Sequence, residues 1–160
     1  MLEAIVAVYS DWGIGAHGTQ PVVIKADRRR FRELTESETV IVGRKTLADF
    51  PGGKPLKNRT NIVLTRQTFS IEGAETAGSV ENALQLAASH SRTFVIGGES
   101  IYRELLPHIE RIFLTKIELT PHSDAFFSDL DTDPAWRVVE VEEEAEENGV
   151  RYRFLTYERT

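Results

Sequence analysis

Two short stretches of this chain join glycine to phosphate-friendly residues where a strand reads straight into a helix. The first is Thr39-Val40-Ile41-Val42-Gly43 followed by Arg44-Lys45-Thr46. The second is Thr93-Phe94-Val95-Ile96-Gly97-Gly98 followed by Glu99-Ser100-Ile101-Tyr102. Glycine lets the backbone approach a ligand closely. A helix N-terminus offers unpaired N–H groups and the positive end of its dipole, which suits a phosphate. Arg44 and Lys45 add full positive charge. Two such junctions point to a dinucleotide, and the Arg44-Lys45 pair to one with an extra phosphate. The Gly-x-Gly-x-x-Gly fingerprint is absent. Gly13-x-Gly15 follows a strand, but Gly18 falls in loop, so a standard Rossmann domain is not supported.

Asp27 is the acid of most interest. It falls in the first turn of a helix read over Lys25 to Leu34, and Phe31, four residues on, shares its face. Leu34 lies close to that face, while Arg28, Arg29 and Arg32 are expected to point elsewhere. A carboxylate on the apolar side of a helix directly after a long loop could serve a ligand. From periodicity alone the plainer reading is an acid favoured by the helix dipole. Arg59 sits between Asn58 and Thr60 just before a strand. Arginine suits two-pronged carboxylate recognition, although on local grounds a solvated loop residue is the better reading.

Other candidates carry less. His17, His90, His108 and His122 show no metal-ligand spacing and read as surface or loop residues, so no metal is expected. Ser10, Ser79 and Ser100 lack the setting of a hydrolase nucleophile. The acidic run Glu140 to Glu147 alternates with Val141 and reads as a solvated strand face. The chain has 160 residues, a net charge of −6 and no cysteine. This length makes one domain, residues 1–160, with room for a substantial core. The negative charge gives nucleic-acid binding no electrostatic support. Disulfides, thiolate metal sites and thiol nucleophiles are excluded together. The N-terminus makes a poor signal peptide and no apolar run is long enough to span a membrane. A soluble cytoplasmic protein is expected, and nothing demands an oligomer, so a monomer is expected.

The elements that must position these residues alternate. Leu2 to Tyr9 reads as a buried strand, and the loop opening at Asp11-Trp12-Gly13-Ile14-Gly15 continues to about Val23. Strands follow at Thr39 to Gly43, Thr60 to Thr65, near Ala74 to Ala77, at Thr93 to Ile96 and at Arg111 to Leu119. Helices are read over Arg44 to Phe50, from an N-cap at Ser79 to about His90, and over Glu99 to Leu106. Trp136 to Glu146 and Val150 to Arg159 form a hairpin turning at Asn148-Gly149. Arg151 and Arg153 are placed to pair with the acidic stretch Glu142 to Glu147. The fold class is α/β: a mostly parallel central sheet, flanking helices and an antiparallel C-terminal hairpin.

Taken together the segments resemble dihydrofolate reductase of the bacterial type over nearly the whole chain. The segments that carry the likeness are Ala4-Ile5-Val6-Ala7-Val8 with Trp12-Gly13-Ile14-Gly15, Ala26-Asp27-x-x-x-Phe31, Val40-Ile41-Val42-Gly43-Arg44-Lys45-Thr46, Asn58-Arg59-Thr60-Asn61-Ile62-Val63-Leu64, Val95-Ile96-Gly97-Gly98-x-x-Ile101-Tyr102 and Leu114-Thr115. The resemblance implies roles position by position. Asp27 matches the pocket acid that hydrogen-bonds the pterin and promotes protonation at N5, and Thr115 matches the threonine that supports it. Ile5, Ala7 and Phe31 match pterin-pocket positions. Arg59 matches the arginine that grips the α-carboxylate of the glutamyl tail. For the NADPH cofactor the matching positions are Ala7, Ile14, Gly15, Gly43, Arg44, Lys45, Thr46, Thr65, Ile96, Gly97, Gly98 and Tyr102, with Arg44 near the adenosine 2′-phosphate. The Gly13–Val23 loop matches the loop that closes over the nicotinamide.

The implied activity is hydride transfer from NADPH to C6 of dihydrofolate with protonation at N5, which would make the protein an antifolate target. One region departs from the commonest pattern. Many members carry tryptophan after the loop's proline and Leu-Pro before the acid, whereas this chain reads Pro21-Val22-Val23-Ile24-Lys25. Arg28 stands where an apolar residue is common. Two other readings stay open: the pyrimidine reductase of riboflavin synthesis, which is similar in fold and cofactor, and a silent paralogue that binds NADPH or folate.

Overall fold

The apolar run at the N-terminus becomes the central strand β1 (Leu2–Tyr9) of the computed structural model, which describes residues 1–16, 20–67 and 70–160. Its neighbours follow from the same pattern of short, fully buried runs: β3 (Thr39–Gly43), β4 (Thr60–Leu64), β5 (Ala74–Ala77), β6 (Thr93–Val95) and β7 (Arg111–Ile117). All of these pair in parallel, in the order β7-β1-β6-β3-β4-β5. The antiparallel edge is β11 (Val150–Arg159), which pairs with β7 and carries β9 (Trp136–Val141) and β10 (Ala145–Glu147) along its other side.

Alternation along the strands sends side chains to two faces. Ala4, Val6 and Val8 pack with α3 (Val80–Ala87) and α4 (Glu99–Leu105). On the other face Ile5, Val40, Val42 and Phe94 pack with Phe31 and Leu34 of α1 (Lys25–Thr35) and with Leu47 of α2 (Arg44–Ala48). Ser79 caps α3, its Oγ accepting from the Asn82 N–H at 3.0 Å. Asn148 and Gly149 both take positive φ, 52° and 81°, as a tight two-residue hairpin turn requires.

Several expected boundaries shift. α2 ends at Ala48 and is followed by a 3-10 turn at Pro51–Gly53; α3 stops at Ala87; α4 stops at Leu105 and runs into a 3-10 turn at Leu106–His108. Pro51 and Pro107 explain two of these ends, because proline cannot continue the α-helical hydrogen bonding. The long strand expected from Trp136 is broken after Val141 and resumes at Ala145. The residues Gly13–Gly15, read as loop, form a strand, β2, paired with β8 (Ala125–Phe126). Asp124 N donates to Gly15 O at 3.0 Å and Phe127 N to Trp12 O at 2.9 Å, so a segment more than a hundred residues away supplies the partner. His17 and Gly18 lie outside the described residues.

Candidate active site

The site exists because β6 is short. It lies between β1 and β3 and ends at Val95, while both neighbours run further. Past its end the sheet opens into a cleft of about 930 Å³, large enough for an extended ligand. Open α/β sheets bind ligands at such a place, beyond the carboxyl ends of the strands. The two glycine junctions flank the opening and are tied together, Gly43 N donating to Gly97 O at 2.8 Å. A Cβ on Gly43 would come within 2.8 Å of the Ile101 side chain, so only glycine allows α4 to pack this close.

Charge and apolar surface divide along the cleft. At one end stand Arg44, Lys45, Arg66 and Gln67. Arg44 Nη1 donates to Gln67 Oε1, and Arg66 pairs with Glu104 at 3.4 Å. Toward the middle come Thr46, Thr65, Gly97, Gly98 and Ser100, then Ile14, Gly15, Ile96 and Tyr102. The Tyr102 hydroxyl donates to Ile5 O at 2.6 Å; burial first, and then the charge of Asp27, raise its pKa far out of reach. At the other end Ile5, Ala7, Asp27, Arg28 and Phe31 line the wall. Arg28 therefore does not point away as its place in the helix suggests; its side chain reaches the cleft edge.

Asp27 is held from below. Thr115 Oγ1, on β7, donates to Asp27 Oδ1 at 2.5 Å. Burial pushes the carboxyl above its ordinary range, while the Thr115 bond and the charges of Arg30 and Arg28 pull it back. The helix under it has an unusual start. Ile24 offers no side-chain acceptor, and Glu147 at the hairpin tip takes its place. Glu147 Oε2 accepts from Lys25 N at 2.7 Å and Oε1 from Ala26 N at 3.3 Å. The neighbouring loop is tied back to β1: the Gln20 amide donates to Ala7 O at 3.3 Å, and the Tyr9 hydroxyl bonds both Val22 O and Val22 N.

Arg59 lies outside the cleft lining, by the last turn of α1. Its Nε donates to Thr35 Oγ1 at 3.1 Å and its Nη1 to Lys57 O at 2.8 Å. Buried Asn61 shapes that loop, its side chain bonding Leu56 N, Leu56 O and Arg59 O. Burial lowers the Arg59 pKa from its high ordinary value, and Glu36 opposes the shift.

Sequence reasoning missed Arg66, Gln67, Arg30, Glu142 and Glu147. Arg66 and Gln67 follow a strand end directly, a signal available but unused. Arg30 has the i+3 spacing from Asp27 that puts both on one face, hidden in a run of three arginines. Glu142 and Glu147 gave no local signal. Most of the acidic run is solvated as expected, but Glu142 reaches Arg30 and Glu147 caps α1. Among the described residues no group of His, Asp and Glu is arranged to hold a metal ion, and no helix is long and apolar enough to cross a membrane.

The comparisons with known proteins agree with one another. The family model described as "Dihydrofolate reductase" matches residues 1–159. The dihydrofolate reductase of Neisseria meningitidis serogroup B is 37% identical over 160 residues, covering 99% of this chain and 98% of that protein. That of Staphylococcus haemolyticus is 35% identical and covers 99% and 95%. Among solved structures, dihydrofolate reductase from Enterococcus faecalis complexed with NADP(H) and RAB-propyl superposes with a TM-score of 0.91 at 32% identity, covering 100% of this chain and 96% of that one.

Proposed function

This chain belongs to the dihydrofolate reductase family, and we propose that its cleft takes dihydrofolate at the Asp27 end beside NADPH at the Arg44 end. The activity is the NADPH-dependent reduction of 7,8-dihydrofolate to 5,6,7,8-tetrahydrofolate. The single observation that carries the assignment of ends is the division of the cleft: one wall with a half-buried carboxylate among Ile5, Ala7 and Phe31, the other rim with Arg44, Lys45 and Arg66.

The residues present fit the cofactor. The glycine-backed junctions leave room for a pyrophosphate, Thr46 and Ser100 offer hydroxyls, and Arg44 with Arg66 suits a 2′-phosphate. Ile14, Ile96 and the buried Tyr102 offer an apolar wall to the nicotinamide. When bound, NADPH supplies the hydride. The protein orients the two rings against each other and excludes water from between them. Asp27 accepts hydrogen bonds from the pterin and favours the proton at N5, and Thr115 fixes the carboxylate's orientation. Arg59 serves the glutamyl tail, with Thr35 holding its Nε so that the planar end is presented in one direction. The 160 residues act as one domain, and antifolates compete for the Asp27 end.

The test is loss of reduced-nicotinamide absorbance with NADPH and dihydrofolate, run beside the pyrimidine substrate of riboflavin synthesis. Turnover with dihydrofolate alone is expected. Turnover with the pyrimidine alone, or with neither while NADPH still binds, would overturn the reading.

A further inference from the structure

Arg30 is a half-buried cation on the sheet-facing side of α1. Its side chain is only 18% exposed. The guanidinium lies over the Phe154 ring, 4.4 Å from the centroid, and over Phe113 at 5.5 Å. Phe154 stands directly opposite Thr115 in the β11–β7 pairing, and Phe113 is two residues before Thr115 on the same face of β7. The guanidinium thus covers a patch whose third corner is the hydroxyl that bonds Asp27. Three residues apart on α1, Arg30 and Asp27 share a helix face.

The partners of this cation are poor. Glu142 Oε2 is 3.9 Å from Nη2, and that carboxylate's side chain is 51% exposed. A long, water-screened pair of this kind contributes little. Nη1 is buried with no hydrogen-bond partner among the described residues. A poorly compensated charge withdrawn from water is costly, and the other carboxylates facing it are Asp27 and Glu140.

We propose that Arg30 is a positioning residue for the reduction, the half-buried counter-ion that sets the charge state of Asp27 and hence the pH range of turnover. This rests on the reading of Asp27 given above. The charged and titratable groups facing the pair are few. Asp27 meets Arg28 and Arg30 from its own helix, Thr115 from β7 and Tyr102 from α4. Arg30 meets Asp27, together with Glu140 on β9 and Glu142 just beyond it. Burial raises the Asp27 carboxyl and lowers the Arg30 guanidinium, and each opposes the other's shift. Arg28 acts on Asp27 as well, but from the exposed cleft edge, where water screens it.

The experiment is single-turnover hydride transfer from NADPH to dihydrofolate across pH, in wild type, Arg30→Met, Arg30→Lys, Glu142→Gln and Asp27→Asn. Wild type should slow as pH rises through one apparent pKa, and Asp27→Asn should lose that step, its residual rate rising only at lower pH where solvent protonates the substrate directly. Absence of either result overturns the reading of Asp27 itself. Given both, Arg30→Met should raise the apparent pKa by about one unit, the lower end for a lost neighbouring charge. Arg30→Lys should stay within about 0.3 unit of wild type, because the charge remains. Glu142→Gln, a surface change, should move the pKa down by about 0.3 unit by releasing Arg30 toward Asp27. An unmoved profile in Arg30→Met, or equal shifts in Arg30→Met and Arg30→Lys, would overturn the inference while leaving the reading of Asp27 intact. Should Arg30→Met not fold, Glu142→Gln decides, and a profile unmoved or moved upward overturns the inference.

Discussion

At the amino end of β1 the Glu3 carboxylate is fully buried, and two arginines close around it. Arg92 Nε donates to Oε1 at 2.5 Å and Nη2 to Oε2 at 3.4 Å, while Arg111 Nη1 stands 3.6 Å from Oε2 and also pairs with Glu158. On the same face of the sheet, toward its carboxyl end, Asp27 opens on the cleft with one hydroxyl donor, and its nearest cations do not close on it among the described residues. Both acids lie against a hydrophobic sheet. One is enclosed by two arginines that hold it in place, and the other is left open to whatever enters the cleft. Burial of a carboxylate becomes chemistry only where its partners stop short of satisfying it.

Asp27→Asn should give the largest effect. It keeps the shape and removes the proton carrier, so hydride transfer at neutral pH should fall by about 10²–10⁴-fold, the range for a lost general acid. Residual activity should rise at low pH, where substrate arrives already protonated. Stability should move the other way. The folded-state pKa of Asp27 is raised, so the ionised carboxylate weakens the free protein above that pKa. The asparagine variant should therefore be the more stable at neutral pH in urea unfolding. The gain should vanish as pH falls below the ordinary carboxylate range, where both side chains are neutral. Near-normal turnover at neutral pH would break the contrast between the two acids.

Glu3→Gln should show the reverse profile. Breaking a buried pair costs about 3–5 kcal/mol when the remaining charge is trapped. Arg92 and Arg111 each keep about a third of their side chains exposed, so about 2–3 kcal/mol is expected here, with kcat unchanged below the unfolding temperature. A variant that unfolds as wild type does but turns over slowly would show that the amino end of the sheet also serves the reaction.

Arg44→Ala sharpens the comparison on the cofactor side. A charge-assisted contact contributes about 1.5–3 kcal/mol, so the apparent KM for NADPH should rise roughly ten- to a hundredfold while that for NADH barely changes. Equal losses with both would remove Arg44 from the 2′-phosphate. Glu147→Ala is the mildest change and bridges the two behaviours. Loss of the α1 cap should cost about 1 kcal/mol of stability, read in urea, with a small fall in hydride transfer because α1 carries Asp27. A fall in transfer larger than the fall in stability would make the cap part of the site's geometry.

Much of this protein is dictated within short windows of its sequence. The buried runs, the helix at Lys25, the Ser79 cap and the Asn148-Gly149 turn each rest on neighbours a few residues apart, where propensity and periodicity act. The glycine junctions were legible for the same reason, since close backbone approach excludes other residues locally. So was the shared face of Asp27 and Phe31. What surrounds that face was not. Thr115 bonds Asp27 across 88 residues, and Glu147 caps Lys25 across 122. The partner of Gly13–Gly15 comes from beyond residue 120. Arg30 reads as one more solvated arginine until β7 and β11 bring Phe113 and Phe154 beneath it. Local rules decide what each segment becomes. Only the packed sheet decides which charges lose their water, and that loss sets a carboxylate's proton affinity.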